Sequence, residues 1–440
     1  VSKVNQQDCR ALLLPNLSLN SKFNASTLWG AGFVAAFFTM HLPLLPFFGG
    51  EYQPLLFIFL VLLVLMVTGN IGREVVFPVF GLMFTLFGVS LWHAIQGSLD
   101  IISLIRCSIG LLFVIGAPAL IAQVPFGAFR LIVWIHFLFA IFGLLYAEGA
   151  AAIVNALGLR GSSYYDGWNA FFASEPSYAA LNLAAVIAVT KLKVSVEGQS
   201  KEGDWLFLMG IFVLLLTNSL TGLVFAILMI WSWIRKATKN VVKSFLIVIT
   251  GFAVLAILYA EEMANSRMGG VEEAIEAALN TGSLLPFLFI DESGSWRILV
   301  NIGGVLSSFF YPLGTGSVEL QNVIFDVIPG DLFDYMLRST VYQRAIYGFN
   351  AQVPLGNYAV FGGLLPLTAL LFIVWSAIRS VIRYCDKEAR FFVVCYLLIG
   401  LLWQSALTAP GWWLILGYAL IIKKTLPKKL NSQATLMKSG

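Results

Sequence analysis

Five arginines, Arg160, Arg267, Arg297, Arg338 and Arg344, are the only basic residues in two polar stretches, 149–175 and 261–352, and none of the fourteen lysines falls there. A guanidinium keeps its proton at physiological pH and offers phosphate or carboxylate a rigid fork of donors, which a lysine ammonium lacks. The first stretch ends in Ser174-Glu175-Pro176-Ser177-Tyr178, just ahead of a long apolar run. Ser174 is a good helix cap, and Pro176 in the first turn forfeits no intrahelical bond. A helix starting there points amides and the positive end of its dipole at the polar side, a ready anion site. Glu175 beside it is a carboxylate suited to taking a proton from a hydroxyl or orienting one. Tyr164, Trp168, Tyr178 and Tyr342 offer rings for sugar stacking, and Ser177 a hydroxyl for hydrogen bonding. Together these residue types suit a reaction in which an anionic phosphate departs while a hydroxyl loses its proton.

The elements that must position them follow from composition. Of 440 residues, 59% are hydrophobic and 11% charged, with a mean hydropathy of +0.86; soluble domains carry about 25% charged residues. A soluble enzyme, a secreted disulfide scaffold and a disordered chain are all excluded, leaving an all-α polytopic membrane protein. Apolar runs near the ~20 residues needed to cross a bilayer predict twelve spans. They lie at 28–48, 54–70, 74–95, 103–121, 128–148, 176–193, 204–218, 219–234, 243–260, 353–378, 391–407 and 409–422. Thr217, Asn218, Ser219 and Thr221 interrupt what would otherwise be one overlong run, and predict a tight turn between two helices.

Orientation follows from the basic residues. With both ends inside, 21 of the 27 fall in inner segments and only the five arginines lie outside, while Arg106 sits within a span. That is the positive-inside pattern. The expected organisation is a cytoplasmic segment 1–27, one transmembrane domain 28–422 and a basic cytoplasmic tail 423–440. The outer mass is concentrated in the loops 149–175 and 261–352, each expected to carry amphipathic helices. Residues 1–27 show no cleavable signal pattern. In the second loop, Glu272, Glu273 and Glu276 oppose Val271, Ile275 and Ala278, and 298–313 reads as an outer helix, because a span there would invert every later segment. Cys9, Cys107, Cys385 and Cys395 form no cluster with His41, His93 or His136, so no metal site and no cofactor are expected. His93, near an outer helix end, is expected as a packed or interfacial residue, with a proton acceptor as the alternative.

At this point the motifs carry a resemblance. Arg160 with Ser174-Glu175-Pro176-Ser177-Tyr178 resembles the Glu-Pro-Ser element of Wzy-type O-antigen and capsule polymerases. Leu220-Thr221-Gly222, following Asn218-Ser219, resembles the Ser/Thr-x-Thr-Gly signature of a later helix in that family. Arg297 followed by Pro312-Leu313-Gly314-Thr315-Gly316 is similar to the Arg…Pro-Leu-x-Gly-x-Gly pattern shared by these polymerases and the related O-antigen ligases. Ligases typically place a histidine in the large outer loop, and this chain has none after His136, which favours a polymerase. The spacing described for polymerases, an arginine eleven residues before a glycine, is not met: Arg338 reaches Gly348 at ten and Arg344 reaches Gly356 at twelve.

The resemblance implies a GT-C-like, metal-independent membrane glycosyltransferase of lipopolysaccharide or other surface-polysaccharide biosynthesis, in the bacterial inner membrane with its active site facing the periplasm. Its substrates would be undecaprenyl-diphosphate-linked glycans, both donor and acceptor. A chain-length regulator and a flippase would be its partners, with membrane lipids around it and no nucleic acid. Arg160, Glu175 and Arg297 are then the expected catalytic residues. Arg267, Arg338, Arg344, Ser177, Tyr178, Tyr342, Tyr164 and Trp168 are the expected substrate contacts. The competing readings are an O-antigen ligase and a lipid-linked oligosaccharide flippase, which would instead use ionisable groups within spans, here Arg106 and His136.

Overall fold

The computed structural model describes residues 25–42, 53–69, 73–157, 168–173, 175–197, 203–217, 219–238, 276, 279–280, 292–318, 327, 353–404 and 408–425. Every regular element among them is helical. In chain order these are α1 (Ala25–Thr39), α2 (Leu55–Thr68), α3 (Arg73–Gln96), α4 (Ile101–Gln123), α5 (Phe126–Leu145) and α6 (Ala147–Ala156). A 3-10 turn (Trp168–Ala170) precedes α7 (Pro176–Glu197), α8 (Gly203–Leu216), α9 (Leu220–Thr238) and α10 (Glu292–Phe310). Then follow α11 (Pro354–Gly362), α12 (Leu364–Tyr384), α13 (Lys387–Ile399) running into a π turn (Gly400–Gln404), and α14 (Pro410–Thr425). Five of them, Glu74–Gln96, Ile101–Gln123, Phe126–Leu145, Pro176–Val196 and Leu364–Tyr384, are long and apolar enough to cross a membrane. Each segment expected from the apolar runs is occupied by a helix except 243–260, which lies outside the described residues. The expected run 353–378 is divided at Gly363, whose φ of +68° ends α11 before α12 begins.

One helix organises the rest. The apolar core of α7, Pro176–Val196, is 83% buried, against 33% for Glu74–Gln96 of α3. A helix that is apolar on all sides belongs in the middle of a bundle, and α7 contacts α5, α8, α9, α13 and α14. On the other side of α14 lies α4, approached through glycine. A side chain at Gly110 would enter the Trp413 ring, and one at Gly417 would meet the backbone of Val114 and the methyl of Ala117. A side chain at Gly116 would likewise strike Val61 of α2. Without a hydrophobic force between helices in lipid, close packing of this kind and internal hydrogen bonds hold spans together.

The two ends of the bundle are chemically distinct. At one end, Lys191 of α7 pairs with Glu388 of α13 and lies 4.0 Å over the Phe207 ring. Lys193 donates to the carbonyls of Ile121, at 3.1 Å, and Val124, satisfying the carbonyl end of α4. A cation there also complements the negative end of the helix dipole. The backbone amide of Asp386 donates to Ser195 at 2.9 Å, tying the α12–α13 corner to the same place. These residues lie in, or at the ends of spans next to, segments expected inside. The opposite end gathers the starts of α4, α7 and α14, which are expected outside.

Replacing Gly110 or Gly417 by leucine drives α4 and α14 apart. We expect a loss of about 1–3 kcal/mol, read as a lower melting temperature of the detergent-solubilised protein. A leucine at Gly81, which has open space around it, serves as the comparison and should change little.

Candidate active site

Three pieces of the end expected outside carry the motifs. The first is the start of α7. The carbonyl of Glu175 accepts the amides of Tyr178 and Ala179, both at 3.1 Å, so Glu175 occupies the cap position with Pro176 as the first helical residue. That is one residue later than the cap expected at Ser174, which lies outside the described residues. Glu175 is half-buried, and the Ser177 hydroxyl lies 3.4 Å from its Oε2.

Aromatic packing fixes where this helix begins. The Trp168 ring covers Gly143 of α5, where any side chain would collide with it. Phe171 and Phe172 pack around His136, with centroid distances of 5.9 and 5.4 Å, and Phe38 stacks on the same imidazole at 5.5 Å. Phe171 is fully buried with φ of +50°, a left-handed conformation that a bulky residue adopts only when its surroundings enforce it. Trp168 and Tyr178, read as sugar-stacking rings, are buried at 8% and 2% exposure and already face protein rings. Tyr178 stacks on His41 at 6.2 Å, and the Asn182 amide donates to His41 Nε2 at 2.7 Å, which leaves the imidazole proton on Nδ1. Asn182 also borders a small, almost wholly apolar cavity walled by Phe33, Phe37, Phe57 and Pro410.

The second piece is the Pro312–Val318 loop, and it behaves as a clasp. Its amides are consumed within the protein: Gly314 donates to Tyr311, Thr315 to Val360 at 2.8 Å, and Gly316 to Phe361 at 3.0 Å. Ser317 donates to Thr315 Oγ1 at 3.3 Å, and Val318 to Ser103 Oγ at 3.1 Å. None of the amides from Gly314 to Val318 is left for an anion. The glycines have a steric purpose. Gly314 and Gly316 have φ of +73° and +77°, and a methyl on Gly316 would press into the His93 ring at 2.7 Å. Nε2 of His93 donates to the Leu313 carbonyl, and Nδ1 accepts the Ser98 hydroxyl, both at 2.9 Å. Asp100 caps α4 by accepting the Ile102 amide at 3.0 Å and the Ser103 hydroxyl, while its own amide donates to Gly316 at 2.9 Å. His93 is thus packed as expected, with both nitrogens engaged in holding the loop.

The third piece is the turn from α8 to α9. The Ser219 hydroxyl accepts the Gly222 amide at 3.0 Å and lies 3.0 Å from Thr217 Oγ1. A side chain on Gly222 would enter Thr217 Oγ1 and the Leu214 carbonyl, so glycine is what allows the two helices to close there.

Of the other expected site residues, Arg160, Arg267, Arg338, Arg344, Tyr164 and Tyr342 lie outside the described residues. Arg297 is part of α10, and its side chain is outside the description. It lies thirteen residues before Phe310, roughly 20 Å along a helix axis. Arg297 therefore sits far from the end of α10 that leads into the Pro312–Gly316 loop. No protein-family model matches the chain, and no curated protein matches it.

Sequence reasoning missed His41 with Asn182, and the network of Asp100 and Ser103. Asn182 was within reach, being four residues after Tyr178 and so on one face of α7. His41 was not, because its partner lies 141 residues away. Ser103→Ala should leave the Val318 amide without its acceptor and cost about 1–3 kcal/mol. Faster proteolysis at 312–318 in the folded protein would report the opened clasp, and an unchanged cleavage rate would argue against it.

Proposed function

We propose that the chain is an integral-membrane glycosyltransferase that polymerises undecaprenyl-diphosphate-linked repeat units into a surface polysaccharide. The reading is supported above all by Glu175, a carboxylate at the start of the most buried long helix and held there by an aromatic nest. The motif resemblance and the lysine-free outer loops add to it. In the reaction, an acceptor sugar hydroxyl attacks the anomeric carbon of the growing chain. The bond to diphosphate breaks, with its electron pair leaving on the phosphate oxygen, and the hydroxyl proton passes to Glu175. Guanidinium groups, with Arg160 and Arg297 foremost, stabilise the departing diphosphate, the kind of fixed electrostatic support on which catalysis relies most.

Elongation of one defined lipid-linked repeat unit by the protein in liposomes tests this. Wild-type protein should build longer lipid-linked chains without added lipid A core, which separates polymerase from ligase. A flippase would instead move units across the bilayer without lengthening them. Glu175→Gln should slow elongation by roughly a hundredfold or more. Arg160→Lys and Arg297→Lys should also cripple it, since charge survives while the bidentate fork does not. Wild-type chain lengths from Glu175→Gln would remove Glu175 from the chemistry.

A further inference from the structure

Glu175 at the cap of α7, then Tyr178 and Asn182, follow one another at steps of three and four residues and so share one edge of the helix. The last two grip a residue from elsewhere in the chain. The Asn182 amide donates to Nε2 of His41 at 2.7 Å, and the Tyr178 ring lies over the imidazole at 6.2 Å with 24° between the planes. His41, Tyr178 and Asn182 are all buried. His41 sits in the turn that closes α1, where the Leu42 amide donates to Thr39 at 3.1 Å and the Gln53 amide to Met40 at 2.6 Å. The backbone of the turn is thus held to α1 and to the start of α2, while its imidazole reaches across to α7.

This hydrogen bond requires a neutral histidine. The Asn182 Nδ2 can only donate, so Nε2 must offer its lone pair. An imidazolium carries hydrogens on both nitrogens and accepts nothing. A second proton on His41 therefore sets two donors against each other in a buried place, and the bond is lost. His93 differs: its Nε2 donates to the Leu313 carbonyl, and its Nδ1 partner is the Ser98 hydroxyl, which can turn round and accept. Around His41, α7 brings Tyr178 and Glu175, with its two lysines at the opposite end. α5 brings His136 in its phenylalanine nest, with Arg130 towards the opposite end. α4 brings Arg106, Cys107 and Asp100, the last held in its own cap. α2 and the first two turns of α14 bring no ionisable group. Glu51, between α1 and α2, lies outside the described residues.

We propose that His41 and Asn182 form a pH-sensitive tie between the end of α1 and α7, closed while the imidazole is neutral and released when it takes a second proton. The tie lies at the end expected outside, so the proton comes from the medium on that side. Release frees the edge of α7 that carries Glu175 at its start. This device goes beyond the polymerisation reading and stands whether or not the chain transfers sugars.

The test is hydrogen exchange read by mass spectrometry on the full-length protein in detergent micelles, corrected for the chemical pH dependence of amide exchange. Residues 36–42 and 176–186 report the tie. In wild type their exchange should rise about fivefold as the pH falls from about 8 to about 5.5, across the ordinary titration range of histidine. His41→Gln keeps an acceptor for the Asn182 amide and takes no proton, so its exchange should stay level over that range. Asn182→Asp sets an acceptor opposite the imidazolium, and acid should then tighten the same segments. The two variants change opposite partners, so either one decides if the other does not fold. Wild-type exchange that stays level with pH overturns the proposal. So does an acid-induced rise that His41→Gln retains or that Asn182→Asp leaves unchanged.

Discussion

Hydrocarbon supplies no hydrogen bonds, so every backbone group released by a break in a helix must find a partner inside the protein. The irregular features of this structure obey that constraint one by one. Where α4 ends, Lys193 takes the Ile121 and Val124 carbonyls. Where α13 loosens into a π turn, Asn301 donates to Leu402 at 2.6 Å and the Trp412 indole to Leu397 at 2.9 Å. Where α11 gives way to α12, the Leu364 amide returns to Pro312, and the Val360 and Phe361 carbonyls accept amides of the clasp. The Pro-Leu-Gly-Thr-Gly sequence is in this sense a set of backbone donors and acceptors cut to fit a broken helix. Its glycines permit close approach where a side chain would collide.

The apolar runs and the α8–α9 turn were legible because each is written in neighbouring residues. Period, length and breakers record whether a segment can be a helix, and Thr217 to Thr221 is a breaker of the plainest kind. The division at Gly363 was not legible. A lone glycine in an apolar run is common in membrane helices, and only the close approach of Pro312 to this one shows why it is a boundary. The His41–Asn182 pair and the Asp100–Ser103–Val318 network were hidden for another reason. Their partners are 141 and 215 residues apart, and such pairing leaves no trace in local pattern. The candidate site was legible as residue types and motif order only. The sequence pattern did not show that the glycine loop spends its own amides.

These findings shift the chemical weight within the motifs. Pro312–Gly316 is a structural brace against α3, α4 and α11, and its Gly314, Thr315 and Gly316 amides are spent within the protein. The start of α7 is different in kind. Trp168, Phe171 and Phe172 hold it from one side, and Tyr178, His41 and Asn182 from the other, with Glu175 left at the rim.

The contrast between α7 and α3 has a further meaning for how this chain can vary. Against the fluid side of α3, lipid tails rearrange around any apolar shape, so isoleucine, phenylalanine or methionine are interchangeable there. Around α7 each neighbour is itself a fixed helix, and one extra methylene has nowhere to go. Random substitution would leave a tolerant stripe along Glu74–Gln96 and an almost frozen one along Pro176–Val196.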